Sequence, residues 1–331
     1  MIRALILVFA ALLSGGLAAP AFAQPVAALD PGKLKLASAN AIVIDAAAGT
    51  PLYAKAADEV TPIASLTKLM TAMVMLDAGL PMDELVAVDL GDLDYLKGTR
   101  SRLGMGVELP RSEMLRLALM ASENRASSSL SRHYPGGTPA FVAAMNAKAA
   151  ALGMTRTRFS DATGLSAENV STANDLARMV AAASQYPVIR EYSTTASHYV
   201  EVQPTGRILG FNNSNALVRD ERAGWDIVLS KTGYIREAGK CLVMLANIGS
   251  RPFVIVLLDS LGRYTRLGDA QRVRHWLETG EALPLPGPKA STRVASAKPA
   301  PSAKKAPAAP RARVAGSMPL RATSVAAAQT R

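Results

Sequence analysis

A chain of 331 residues with an Ala- and Leu-rich globular composition and a net charge of +11 holds one large domain or two ordinary ones. The single cysteine, Cys241, excludes an intrachain disulfide, and the scattered histidines His133, His198 and His275 form no H-x-x-x-H pair, which argues against a zinc hydrolase. Residues 285–331 carry four lysines and five arginines with no Asp or Glu, so nine of the eleven charges lie there; overall basicity is therefore no argument for nucleic-acid binding.

Met1-Ile2-Arg3, the apolar stretch Ala4 to Leu13 and the small-x-small site Ala21-Phe22-Ala23 read as a secretory leader, residues 1–23. Its apolar core is too short for a membrane span, which takes about 20 residues. The mature chain is therefore expected to be soluble and periplasmic, with Cys241 as a buried apolar side chain. Residues 24–38 read as a loose lead-in. Ala41 to Asp45 and Pro51 to Lys55 read as strands of a hairpin turned at Ala48-Gly49-Thr50. After Pro62, the residues Leu66, Leu69, Met70, Met73, Val74 and Leu76 recur at steps of three and four, which predicts a helix with a buried face to about Leu80. Residues 83–109 are mixed, broken by Gly91, Gly98, Gly104 and Gly106. Helices are predicted over Glu113 to Met120, Ala126 to Tyr134 and Phe141 to Leu152, the last stopped by Gly153. Thr172 is the expected N-cap of a helix over Ala173 to Ser184.

Val188 to Phe211 is read as short strands and turns, and Asn212 to Asn215 as a polar turn. Three β-rich runs follow: Asp226 to Ser230, Cys241 to Ile248 and Phe253 to Leu258. A helix over Gln271 to Thr279 closes the fold. The order points to an α/β protein, α+β in strict usage, with an antiparallel sheet built from both ends of the chain and helices on its faces. One catalytic unit spans residues 39–283. The Ala/Pro/Lys/Arg-rich tail, 284–331, is expected to be disordered.

Chemistry concentrates at Ile63-Ala64-Ser65-Leu66-Thr67-Lys68. On a helix, positions three apart are neighbours at about 5–6 Å between Cβ atoms. Ser65 and Lys68 therefore share one face, near an N-terminus that favours anions. That is how a nucleophile and its base are placed. The spacing alone is weak, because Ser302 and Lys305 in the tail fit it as well. Ser122-Glu123-Asn124 falls at a break between helices and Lys231-Thr232-Gly233 at the end of a strand; Ser38-Ala39-Asn40 is a decoy for the former. Only Ser65, Ser122 and Lys231 give the order and contexts of S-x-x-K, S-x-N and K-T-G, the set of penicillin-binding proteins and class A β-lactamases.

From about Ala39 to Gly280 the chain resembles low-molecular-mass penicillin-binding proteins, specifically D-alanyl-D-alanine endopeptidases. The resemblance extends over Leu69-Met70-Thr71-Ala72-Met73, Leu119-Met120-Ala121 before Ser122, His133-Tyr134-Pro135-Gly136-Gly137, Thr163-Gly164-Leu165 with Ser171-Thr172-Ala173, and Lys231-Thr232-Gly233-Tyr234. It implies the penicillin-binding/β-lactamase-like fold, a five-stranded antiparallel sheet flanked by helices plus a helical subdomain. It further implies peptidoglycan cross-links as substrate, β-lactams as covalent inhibitors, and neither cofactor nor metal.

Ser65 would attack a D-alanyl carbonyl and form an acyl-enzyme. Lys68 would be the base, and must be neutral to act, so its pKa must fall from about 10.4; burial and the positive neighbour Lys231 both push that way. Ser122 would relay a proton to the leaving nitrogen, and Asn124 would orient the substrate amide and help hold Lys68. Lys231 and Thr232 would meet the substrate carboxylate. Gly233 would let substrate lie along the strand edge, and the N–H groups of Ser65 and Tyr234 would form the oxyanion hole. Glu123 reads as solvated or structural, Arg125 as an ion-pairing residue, and Glu168 sits in a loop unlike that of a β-lactamase.

Carboxypeptidase relatives typically add a β-rich domain and an amphipathic anchor, a plan this chain departs from, which favours an endopeptidase. A D-alanyl-D-alanine carboxypeptidase, a β-lactamase and a non-catalytic penicillin sensor are the alternatives. The basic tail reads as a solvated extension or as an electrostatic contact to anionic wall polymers.

Overall fold

The computed structural model describes residues 29–262 and 264–285. The leader, the basic tail beyond Leu285 and the Ser302/Lys305 decoy lie outside the described residues. β1 (Asn40–Asp45) and β2 (Thr50–Lys55) form the expected hairpin. β3 (Thr61–Pro62) leads into a tight 3-10 turn, Ala64–Thr67, and then α1 (Lys68–Asp77). The helix stops short of Leu80 because Gly79 takes a positive φ of 61°. β4 (Leu85–Ala87) pairs with β5 (Glu108–Pro110) across the glycine-broken stretch. Next come α2 (Arg111–Met120), α3 (Asn124–Arg132) and α4 (Gly137–Ala151).

β6 (Val170–Ser171) pairs with β3. Thr172 caps α5 (Ala173–Ala183) by accepting the Asp175 N–H. α6 (Pro187–Thr194) replaces the first of the short strands expected after Val188. Pro187 is well suited to a helix start, but the Val, Ile, Tyr and Thr residues behind it favour strand in isolation. Burial of Ile189 and Tyr192 overrides that preference. β7 (Ser197–Val202) and β8 (Arg207–Asn212) form a hairpin, and α7 (Ala216–Arg219) is a single turn. β9 (Asp226–Ile235), β10 (Gly239–Ile248) and β11 (Arg251–Ser260) form a meander, and α8 (Thr265–Thr279) closes the chain. The Lys231-Thr232-Gly233 motif lies within β9 and not at its end, since Gly233 is paired with Cys241 in the ladder.

The five long strands form one antiparallel sheet in the order β2-β1-β11-β10-β9. Alternate residues serve two cores. Ala41, Val43, Leu242, Met244, Ile255 and Leu257 face α8, where Val273 and Trp276 meet them. Ile42, Val243, Val254, Val256 and Leu258 face the helices on the other side. Both faces are buried, so these strands read as unbroken apolar runs with no polar alternation. On the larger side α5 packs on β1, β10 and β11, α1 on α4 and α5, and α2 on α3 and α6.

Residues 29–38 are held in place, contrary to the loose lead-in expected. Leu34 and Leu36 are buried. The Ser38 N–H and hydroxyl both donate to Asp269 at 2.7 Å, and Trp276 Nε1 donates to the Asp30 carbonyl at 3.1 Å. Two leucines among polar neighbours suffice to seat the segment on the α8 face.

Candidate active site

Ser65 sits in the 3-10 turn before α1, with Lys68 as the first residue of the helix. The turn is strained, with Ala64 at a φ of 48°, a left-handed conformation that costs about 1–3 kcal/mol in a residue bearing a Cβ. Its surroundings hold it there. Thr67 Oγ1 donates to the Ala64 carbonyl at 2.8 Å, and Thr71 Oγ1 anchors the first turn of α1 to the Ala162 carbonyl at 2.7 Å. Gly164, at a φ of 81°, lies so close that a Cβ on it would come within 2.0 Å of the Ala64 oxygen. The 161–166 loop is therefore a wall against which the nucleophile turn is pressed.

Lys68 is wholly buried. Its Nζ lies 3.0 Å from Ser65 Oγ, 2.8 Å from Asn124 Oδ1 and 2.6 Å from the Thr163 carbonyl oxygen. The latter two oxygens carry no hydrogen, so they take N–H bonds from the amine. A neutral amine has two such hydrogens, which leaves its lone pair for the third neighbour, the Ser65 hydroxyl. The site thus aims a base at the nucleophile. Burial lowers the Lys68 pKa to about 7, against the opposing pull of Asp161, Glu123 and Asp94. The repulsion expected from Lys231 acts in the other direction: burial first, then the charges of Lys68 and Arg266, hold Lys231 well below the usual lysine range.

Asn124, at the start of α3, is oriented by donating from Nδ2 to Thr99 Oγ1 at 3.0 Å, which leaves Oδ1 for Lys68. Thr99 in turn is fixed by Asp94, which accepts both its N–H and its hydroxyl. Ser122 stands between α2 and α3 with a φ of 60°. Its Oγ accepts from Lys231 Nζ at 2.8 Å; Lys231 also donates to the Thr232 carbonyl at 2.9 Å. Thr232 Oγ1 donates to Ser214 Oγ at 2.7 Å, and the Gly233 carbonyl accepts from Arg266 at 3.0 Å. A Cβ on Gly233 would sit 3.0 Å from the Ile63 oxygen and 3.3 Å from the Ser65 nitrogen. The close seating of β9 on the nucleophile turn therefore already demands a residue without a side chain there. Tyr234 is exposed beyond it, with Lys240 Nζ 3.8 Å from its ring centroid.

Direct hydrogen bonds thus join Ser65 and Asn124 to Lys68 in one set and Ser122 to Lys231 in a second, and Thr232 and Gly233 follow Lys231 on β9. Of the secondary candidates, Arg125 departs from its reading, while Glu123 and Glu168 take structural and surface roles. Glu123 is buried and accepts the Arg125 N–H, so of its two readings it takes the structural one, as the cap of α3. Arg125 donates to the Leu103 carbonyl and forms no ion pair among the described residues. Glu168 pairs with Arg158 on the surface. Sequence reasoning missed Asp161, which accepts the N–H groups of Thr163, Gly164 and Ser166 and so aims the Thr163 carbonyl at Lys68. It also missed Thr99 and Ser214. The quoted Thr163-Gly164-Leu165 stretch marked the right loop without showing its role. His133 Nδ1 lies against the Ser129 carbonyl and His198 Nε2 against Glu113, and neither bonds to a site residue. Cys241 is buried, with its thiol pushed up to about 11 by burial.

A model of the family described as D-alanyl-D-alanine carboxypeptidase matches residues 25–262. The D-alanyl-D-alanine endopeptidase of Pseudomonas aeruginosa is 47% identical over 282 residues, covering 85% of this chain and 90% of that protein. That of Escherichia coli is 47% identical over 266 residues, covering 80% and 85%. Among solved structures, a Streptomyces DD-transpeptidase superposes with a TM-score of 0.69 at 27% identity, over 74% of this chain and 98% of its own. A penicillin-binding protein of Listeria monocytogenes in its cefotaxime-bound form does so with a TM-score of 0.62 at 27% identity, over 74% and 98%.

Proposed function

The chain belongs to the D-alanyl-D-alanine carboxypeptidase family of serine peptidases, and on that premise we propose that it is a penicillin-sensitive DD-endopeptidase, cutting the D-alanyl bonds of peptidoglycan cross-links. The observation that carries the chemistry is the buried Lys68 amine, 3.0 Å from Ser65 Oγ with its other two contacts on carbonyl oxygens. Extensive identity with two proteins named endopeptidases carries the choice of bond.

The reaction is acyl transfer. Neutral Lys68 takes the Ser65 proton as Oγ attacks the D-alanyl carbonyl. Charge develops on that oxygen between the N–H groups of Ser65 and Tyr234. Collapse breaks the C–N bond, and the proton taken by Lys68 passes by way of Ser122, which Lys231 holds at 2.8 Å, to the leaving amine, so that Lys68 is neutral again. Asn124 orients the scissile strand, and Lys231 and Thr232 receive the carboxylate beside it. Water then releases the acyl group from Ser65 and restores the hydroxyl. A positioned base of this kind contributes about 10²–10⁴-fold, and one oxyanion donor about 10²–10³-fold.

The leader read in residues 1–23 supports a periplasmic location for this activity; among the described residues no helix is long and apolar enough to cross a membrane. Residues 39–283 form the catalytic unit. The basic tail is either a plain extension or a contact to anionic wall polymers. Equal wall retention at low salt of the full chain and a chain lacking 286–331 identifies the former, and weaker retention of the shorter chain the latter.

Muropeptide dimers and monomers digested side by side, with mass analysis, test the reading. Dimer cleavage is the expected result. Loss of terminal alanine alone makes the protein a carboxypeptidase, the activity for which its family is named. Rapid hydrolysis of penicillin makes it a β-lactamase. Ser65→Ala should abolish labelling by fluorescent penicillin while thermal unfolding stays unchanged; labelling that persists means a different nucleophile.

A further inference from the structure

Beside Ser122 lies a recess of about 480 Å³ that none of the steps above uses, lined by Arg100, Arg102, Ala121, Glu123, Phe211 and Asn212 among others. Its position follows from its neighbours. Ala121 and Glu123 flank Ser122 in the chain. Asn212 comes two residues before Ser214, whose Oγ accepts from Thr232. The recess is therefore lined by the residues on both sides of Ser122, the side chain proposed to pass a proton to the leaving nitrogen.

Its charge is that of two guanidinium groups against one carboxylate. The carboxylate, Glu123, is buried and committed to the α3 N-terminus through the Arg125 N–H. Arg102 is held in place, its guanidinium carbon 5.5 Å from the Phe211 ring centroid and its Nη1 donating to the Gly210 carbonyl. Arg100 is exposed and enters no ion pair among the described residues. It is three positions beyond Lys97 on the stretch that Asp94 and Thr99 fix against Asn124. Guanidinium groups present parallel N–H pairs that match a carboxylate.

We infer that Arg100 and Arg102 receive a carboxylate on the leaving strand of a cross-link. This rests on the endopeptidase reading and names what that reading leaves open: how the site favours a cross-link over a chain end. A released D-alanine has one carboxylate, which Lys231 and Thr232 already receive. The leaving half of a cross-linked dimer is a peptide with carboxylates of its own, and it extends past Ser122 into the recess. The two arginines thus act on a part of the substrate that only an internal bond possesses.

The test compares wild type, Arg100→Gln and Arg102→Gln by kcat/KM on a muropeptide dimer. The same enzymes are measured on that dimer with its leaving-strand carboxylates amidated except the one beside the scissile bond, which Lys231 and Thr232 receive, on a monomer ending in D-Ala-D-Ala, and by the rate of acylation with fluorescent penicillin. Each substitution should slow dimer cleavage about tenfold. Amidation should do the same to wild type and add nothing to the variants, while monomer and penicillin rates hold. Dimer cleavage unaffected by Arg100→Gln and by amidation overturns the inference. So do equal losses on dimer, monomer and penicillin, which mark the arginines as mere supports of the fold. A wild type that trims the monomer and leaves the dimer intact overturns the endopeptidase reading beneath it.

Discussion

At the scale of the residue, the site is governed by one buried amine. Lys68 accepts the Ser65 proton only when neutral, and with a pKa of about 7 it is neutral above that pH and charged below it. Acylation by penicillin should therefore rise with pH, gaining about tenfold per unit below pH 7 and levelling above. A flat profile from pH 5 to 8 in stopped-flow acylation would count against Lys68 as the base. Lys68→Arg keeps its charge at every accessible pH, so it should lose the rising limb and acylate about 10²–10⁴-fold more slowly.

Much of this was legible in the residues themselves. Ser65 and Lys68 are three apart, and Ser122 and Lys231 belong to motifs with fixed spacing. What escaped was work done by backbone oxygens. The Thr163 carbonyl is a full partner of Lys68, yet every residue carries a carbonyl and only the fold shows which one is aimed. Asp161 acts one step further away, through three backbone N–H groups, and a lone Asp in a polar loop gives no spacing to read.

At the scale of the element, the nucleophile turn is held between two glycine contacts. Gly233 brings β9 against it from one side, and Gly164 brings the 161–166 loop from the other. Gly164→Ala meets both a positive φ and a backbone oxygen 2.0 Å from its Cβ, so the loop must move. Stability should fall by about 1–3 kcal/mol, read from the urea midpoint. The folded fraction should acylate about a hundredfold more slowly, since a 1 Å displacement of reacting groups costs about that much. Wild-type acylation in this variant would show that the turn keeps its geometry without the loop. The elements least legible in sequence were α6, where strand-forming side chains are recruited into a helix by burial, and the start of α8, whose Arg266 and Asp269 are polar yet face the protein. In both cases tertiary contacts outweigh the local pattern.

At the scale of the whole molecule, one sheet separates two cores, and the described residues include both cores and every site group. Arg272 closes the unit by donating to the Pro284 carbonyl. A chain ending at Leu285 should therefore match the full chain in melting temperature within about 2 °C, since less than about 0.5 kcal/mol is at stake. Its penicillin acylation rate should match as well. A clear drop in either, by scanning calorimetry or fluorescence labelling, would assign the basic tail a part in the fold or the site.

The site closes late in the chain. Ser122 and Lys231 are 109 residues apart, and Lys231 reaches Ser122 only from a strand held by β10, which follows it. While the polypeptide is being synthesised, Ser65 and Lys68 exist for a long interval without the strand that completes their surroundings. The amine is then open to water and protonated, and the hydroxyl beside it is inert. Reactivity toward penicillin should therefore report on the finished fold, appearing when the last strands pair and lost when they part. A labelling time course after refolding therefore dates the docking of β9 on the nucleophile turn.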